Sequence, residues 1–271
     1  MKEKLKNEKG ITLISLIIVT GVLIFILLIG LGIGVLERMQ IIALPTNSIS
    51  GNHVKKYSRE YFYNKMTNDS NKSENMKLDI TYGNDIKSTM WYFEDMLYGE
   101  INTSNVGGTG ITSLYCNIHQ NKAIITMPNM NMAFTIKLDD ELIQQAIETS
   151  NTDDFLSIIA PSNDEVVFEY LGKTTLDEKK VLNFKLDVPT NSDSYKNIKE
   201  MANDNLNNEE NATIEFFVDP RKFDIKKIEI KQQNIIAEMK YEYNCVSKDQ
   251  IIEPDLKGYK VYDANSYWKN K

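Results

Sequence analysis

The stretch Ala237-Glu238-Met239-Lys240-Tyr241-Glu242-Tyr243-Asn244-Cys245 alternates without a break between apolar and polar side chains. Successive side chains of an extended chain point to opposite faces, so this period of two predicts a strand with one face buried and one in water. The same pattern recurs along the chain. Leu114, Cys116 and Ile118 alternate with Tyr115, Asn117 and His119, and Met132, Phe134, Ile136 and Leu138 alternate with Ala133, Thr135 and Lys137. It returns at Val166, Phe168 and Tyr170, at Leu182, Phe184, Leu186 and Val188, and at Ile214, Phe216 and Val218. Repeated one-sided strands read as an antiparallel sheet, because parallel strands are usually buried on both faces.

The segments between the runs support hairpins. Gln120-Asn121-Lys122, Leu176 to Lys179, Asp219-Pro220-Arg221-Lys222 and Gln232-Gln233-Asn234 each separate two alternating runs. Asp followed by Pro suits the first two positions of a type I turn.

Three short helical patterns interrupt the strands. Asp139, Asp140 and Glu141 open one with the stripe Leu142, Ile143, Ala146 and Ile147, the acids standing at the positive end of the helix dipole. Asp153 and Asp154 open a second, which carries Phe155, Ile158 and Ile159 and stops near Pro161; Ser192 caps a third, with Tyr195, Ile198, Met201, Ala202 and Leu206 on one side. Their stripes need an apolar partner, and the single greasy face of the sheet supplies one. The fold class is therefore mainly β with a few short helices.

Ahead of the sheet, Ile11 to Leu36 carries no charge and no proline. As a helix it would span roughly 39 Å, beyond the roughly 30 Å of a bilayer's hydrocarbon core, so it predicts one N-terminal transmembrane helix. Lys2, Lys4, Lys6 and Lys9 precede it against Glu3 and Glu8. Short basic flanks stay in the cytoplasm, which puts everything after the helix outside. Gly30 and Gly34 have a small-xxx-small spacing that allows helix–helix association in lipid; ordinary glycine tolerance in membrane helices is the favoured reading. Glu37 to Asn75 is rich in turn and linker residues and reads as a stalk. Within it His53 to Met66 is basic and aromatic, with two readings open: a segment resting on lipid headgroups, or the start of the globular domain.

The segment Lys9-Gly10-Ile11-Thr12-Leu13-Ile14-Ser15 resembles the leader of type IV prepilins: a short basic stretch, a glycine, then a long apolar helix. The resemblance implies peptidase cleavage after Gly10, with Ile11 as the new terminus. Ser15 departs from the family pattern, since filament-forming pilins carry a glutamate there. The leader still implies processing, while Ser15 speaks against assembly into a filament.

The formal charge of −7 argues against nucleic acid as a partner. Cys116 and Cys245 both fall beyond the membrane helix and on the apolar phase of their strands, so buried free thiols or a disulfide are both open. With His53 and His119 as the only histidines, a structural zinc site is not expected. The chain has no Gly-x-Ser-x-Gly elbow, no His-Glu-x-x-His and no phosphate loop, and Gly107-Gly108-Thr109-Gly110 lacks a following lysine. No catalytic residue, metal or cofactor is assigned.

The exported part also resembles the LolA-like lipoprotein carriers and related envelope sensor domains. The resembling pieces are Trp91-Tyr92-Phe93, the hairpin Ile118 to Thr126, Phe134-Thr135-Ile136 leading towards Phe155 to Ile159, Phe216-Phe217-Val218-Asp219-Pro220 before Ile228-Glu229-Ile230, and Glu253-Pro254-Asp255-Leu256. The resemblance implies an open, curved half-barrel covered by helices, whose inner face holds acyl chains. Met127, Met132, Phe134, Phe168, Phe184, Phe216, Met239 and Tyr241 are the candidate ligand-binding residues, with Cys116 on the same phase, Met130 in the cluster with Met127 and Met132 at the rim, and Met90 and Met96 upstream. Flexible thioethers suit varied apolar ligands. The expected organisation is a leader over 1–10, a membrane helix over 11–36, a stalk over 37–75, the β domain over 76–265 and a tail over 266–271. The expected function is a membrane-anchored extracytoplasmic binding or sensor protein for a lipid or lipoprotein-like ligand. A pilin-like structural subunit and an unrecognised envelope enzyme are the alternatives.

Overall fold

The computed structural model describes residues 55–68, 75–83, 86–102, 110–138, 157–201 and 210–265. The leader, the membrane helix, Gly10, Gly30, Gly34 and the helix expected from Asp139 lie outside the described residues. Among the described residues, no helix is long and apolar enough to cross a membrane.

The strands are β1 (Asn75–Tyr82), β2 (Ile86–Phe93), β3 (Met96–Asn102), β4 (Ile111–Asn117), β5 (Lys122–Met127), β6 (Met132–Lys137), β7 (Val167–Leu176), β8 (Lys179–Val188), β9 (Ala212–Val218), β10 (Ile225–Gln232), β11 (Asn234–Tyr243) and β12 (Lys260–Asp263). They form one 12-stranded sheet in the order β12-β6-β5-β4-β3-β2-β1-β11-β10-β9-β8-β7. Two meanders, β1 to β6 and β7 to β11, meet where β1 pairs antiparallel with β11. The sheet is open, with β12 and β7 at its two edges. Each neighbouring pair is antiparallel except β12, which runs parallel to β6.

The expected turns are where the chain reverses. Asn121 (φ 50°), Asp177 (φ 47°), Glu178 (φ 64°) and Gln233 (φ 59°) adopt the left-handed backbone that tight hairpins need. At the turn between β9 and β10 Asp219 Oδ1 accepts from the amides of Arg221 (2.8 Å) and Lys222 (2.9 Å). Near the β7 edge the register to β8 shifts between Tyr170 and Gly172, and Gly172 has φ +107°, a conformation L side chains rarely adopt. The bulge bends the edge strand.

Helix α1 (Arg59–Asn68) lies in the stretch read as stalk. Its Phe62 is fully buried in the main core, so of the two readings of His53–Met66 the structure favours the start of the globular body. Helix α2 (Asp193–Met201) begins as expected, with Ser192 Oγ accepting from the Tyr195 amide at 3.1 Å, and buries Tyr195 and Ile198. A helical turn over 157–159 buries Ile158 and Ile159.

The sheet is not one-sided throughout. Over β2 to β5 the outer face is also buried: Tyr115 and Ile124 pack with Val246 and Ile251, with Trp91, Phe93, Met96, Tyr98 and Leu256 around them. The chain leaves β11, crosses this face and arrives at the far edge as β12. Val246 donates to Asn75 Oδ1 (3.1 Å), Lys122 pairs with Glu253, and Lys260 donates to the Asn131 carbonyl (2.7 Å). The strap also corrects the reading of Met96, which belongs to the outer cluster and not to the methionine face. Cys245 lies just past β11 and is exposed, so it is not a buried thiol; it and Cys116 are both free.

Candidate ligand-binding face

All eight candidate residues fall on one face of the sheet, the face that also carries α1, α2 and the turn at 157–159. The registers place them. One row runs from β7 to β4 as Tyr170, Phe184, Phe216, Ile228, Met239, Ile80, Ser88, Ile101 and Thr112, and the paired Met127 and Met132 follow in phase just beyond the Ser113–Thr126 pair on β5 and β6. The adjoining row brings Tyr241, Leu78, Met90, Gly99, Leu114, Ile125 and Phe134 into line.

The eight separate into groups. Phe168, Phe184 and Phe216 gather under Phe62 of α1, whose ring centroid is 5.5, 4.8 and 5.2 Å from theirs. Phe184 and Phe216 are at 0 % exposure, so α1 closes this end of the face as packed core. At the opposite end Met127 is buried beside half-buried Met132, and Phe134 stacks on Tyr262 of β12 at 5.4 Å. Met239 and Tyr241 lie between them on β11. The face therefore spreads its candidates along the sheet and does not converge them on one point.

Helix α1 is held over the phenylalanines by a polar clamp. Arg59 donates from Nε to the Ile159 carbonyl (3.2 Å), from Nη2 to Ile158 (2.6 Å), and from Nη1 to Asn163 (2.5 Å) and Val166 (2.9 Å). A planar guanidinium with five donors suits four converging carbonyls, and a lysine would not. Burial pushes this guanidinium below its ordinary pKa, partly offset by Asp164.

Between the two ends, across β11, β1, β2, β3 and β4, several apolar side chains are only half-buried: Tyr241, Tyr243, Ile86, Leu97, Ile101 and Cys116. Sequence reasoning missed Ile86, Leu97, Ile101 and Tyr243 as site residues. The alternation Leu97, Gly99, Ile101 was the available signal, and Gly99 in its middle weakened it. From β11 to β5 this face carries no Asp, Glu, Lys or Arg. Burial pushes the Cys116 thiol up to about 12, so it stays a neutral thiol, and burial likewise raises the Tyr82 phenol to about 12. Tyr92 donates to Met90 Sδ at 3.3 Å, and its buried phenol is also pushed up. Among the described residues of these strands the surface is neutral and apolar, with its thiol and phenols held in the protonated form by burial.

The outer face over β8 to β11 is the reverse. Lys227 bridges Glu229 (2.5 Å) and Glu238 (2.6 Å), while Lys231 bridges Glu229 (2.6 Å) and Glu215 (3.0 Å). These charges are paired with one another and read as a sheet-stabilising ladder. Among the described residues no cluster of three or more His, Cys, Asp or Glu side chains is arranged to hold a metal.

No protein-family model matches the chain, and no curated protein matches it. Among solved structures, it is similar to the lipoprotein LppX of Mycobacterium tuberculosis, at 9% identity and TM-score 0.45 over 70% of this chain and 99% of that one. LprF from Mycobacterium bovis is similar at 6% identity and TM-score 0.42, over 73% and 93% of the two chains. A LolA superfamily protein from Nitrosomonas europaea is similar at 10% identity and TM-score 0.20, over 66% and 88%. All these identities and scores are low, and the chemistry of the face stands on its own residues.

Proposed function

We propose that this protein is an extracytoplasmic binding or sensor protein, anchored by Ile11 to Leu36, that holds an apolar ligand of the lipid or lipoprotein type against the inner face of its sheet. The observation that carries the reading is the neutral, apolar strip from β11 to β4, where half-buried side chains lie on an open sheet between two packed ends. An apolar strip without charge gains free energy by covering hydrocarbon, at about 25 cal/mol per Å² removed from water. The protein acts by binding and not by catalysis: the strip has no charged group to move a proton or attack a bond.

The test uses the full-length chain in a mild non-ionic detergent. A pyrene-labelled hydrocarbon should bind saturably, and Leu97→Ser should weaken it. A chain that binds no long-chain probe above the detergent background overturns the reading and leaves a structural or protein-binding role.

A further inference from the structure

Ser88 interrupts the apolar face. Ile80 of β1 and Ile101 of β3 stand directly across from it, and Ile86 and Met90 are its neighbours on the same side of β2. It is only 6 % exposed, and its hydroxyl has no hydrogen-bond partner. One diagonal step away on β1, about 7–8 Å by strand geometry, Tyr82 sits opposite Ile86 and Ala237. Its hydroxyl is buried and without a partner as well. A buried hydroxyl left unpaired costs free energy, and native proteins keep few of them, so two on neighbouring strands of one face call for a common cause.

We propose that Tyr82 and Ser88 are the polar anchor of the lipid face, donating hydrogen bonds to the ester carbonyl of a neutral long-chain lipid whose hydrocarbon lies along the half-buried Ile101 and Leu97 of β3. The inference rests on the apolar-ligand reading above and names the ligand's chemical class. Both hydroxyls can donate, and a carbonyl oxygen has two lone pairs to receive them. The surroundings select an uncharged acceptor. Among the described residues, the side chains beside the pair on this face, Ile80, Ile86, Met90, Ile101 and Ala237, are uncharged, and burial already holds the Tyr82 phenol up at about 12. A carboxylate brought there would lose its hydration with no cation to replace it. Selection of ester over hydrocarbon follows, because only the ester satisfies the two donors.

The experiment competes methyl palmitate, palmitate and hexadecane against a pyrene-labelled hydrocarbon bound to the full-length chain in non-ionic detergent. Methyl palmitate should compete about tenfold better than hexadecane, as expected for one or two buried hydrogen bonds, and better than palmitate at neutral pH. In the double variant Tyr82→Phe, Ser88→Ala the ester-to-hexadecane ratio should fall to about one. Equal competition by ester and hexadecane in the unaltered chain, an ester preference that survives in the double variant, or palmitate as the best competitor overturns the anchor while the apolar-ligand reading stands. A labelled hydrocarbon that never binds overturns that reading itself and the anchor with it.

Discussion

The ring of Phe62, on the helix that precedes the sheet, lies 4.8 Å from the ring of Phe184 in the middle of β8, at an interplanar angle of 51°. The contact joins residues far apart in the chain and makes α1 the lid over one end of the inner face. Phe62 is at 0 % exposure, and Phe223 completes its surroundings at 5.9 Å. Truncating it leaves a cavity that the stiff sheet cannot close. Phe62→Ala should destabilise the domain by about 3–5 kcal/mol in urea unfolding, and Phe62→Leu by clearly less. An alanine variant as stable as the parent would show that α1 does not belong to the core.

Arg59 should act through the segment it clamps. Arg59→Lys keeps the charge but loses the fork that reaches four carbonyls, so the turn at 157–159 and the chain to Val166 lose their tie to α1. We expect a loss of about 2–3 kcal/mol, the scale of hydrogen bonds from a charged donor. Hydrogen exchange should quicken at Ile158, Ile159 and Val166. Unchanged exchange there with a full-size stability loss would place the effect elsewhere.

The outer-face ladder predicts the pH profile. Burial by itself would raise the Glu229 carboxyl, but hydrogen bonds from Lys227 and Lys231 outweigh it and hold it below the ordinary 4.5; Glu238 is lowered in the same way by Lys227 and Lys240. A depressed carboxyl contributes stability above its unfolded value and loses it as pH falls through the folded value, here in the range below 4.5. Against the opposing effect of burial, Lys227 is raised above 10.5 by Glu229 and Glu238 and Lys231 by Glu229 and Glu215, so their contribution is present below 10.5 and lost as pH rises through the folded values. The urea midpoint should therefore fall at both extremes. Glu229→Gln should flatten the acid limb, and an acid limb identical to the parent's removes Glu229 from the account.

Removing one unpaired hydroxyl gives a prediction of unusual sign. Tyr82→Phe deletes a buried oxygen that has no partner. The ligand-free protein should gain about 1 kcal/mol, read as a higher thermal midpoint. A loss of that size would mean that Tyr82 has a partner in the folded protein.

Topology and processing are checked in cells. The orientation proposed from Lys2, Lys4, Lys6 and Lys9, with the β domain outside, predicts that protease added to intact protoplasts degrades it. Mass spectrometry of the membrane-extracted chain should find Ile11 at the amino terminus. Full protection of the domain reverses the orientation, and an intact Met1 or Lys2 in cells with a prepilin peptidase leaves a plain anchor.

Sequence by itself determined which side chains share a face. Met239 and Tyr241, or Phe134 and Ile136, lie on one side because two residues make one repeat of an extended chain, and that geometry is local. The hairpin turns and the Ser192 cap were legible for the same reason, each resting on contacts a few residues apart. The strands β1 to β3 were less so, since Gly99 and the polar Ser88 break the alternation that marks the others. Only the tertiary structure decided what covers each face. Nothing near Phe62 announces Phe184, and nothing near Val246 announces Ile124, because these contacts join segments far apart in the chain that meet only once the whole sheet has formed. The same holds for Met90 and Met96. Both read as loose methionines in the chain, yet one points to the ligand face and the other beneath the C-terminal strap, because the β2–β3 hairpin sets Met96 opposite Phe93, on the side away from Met90.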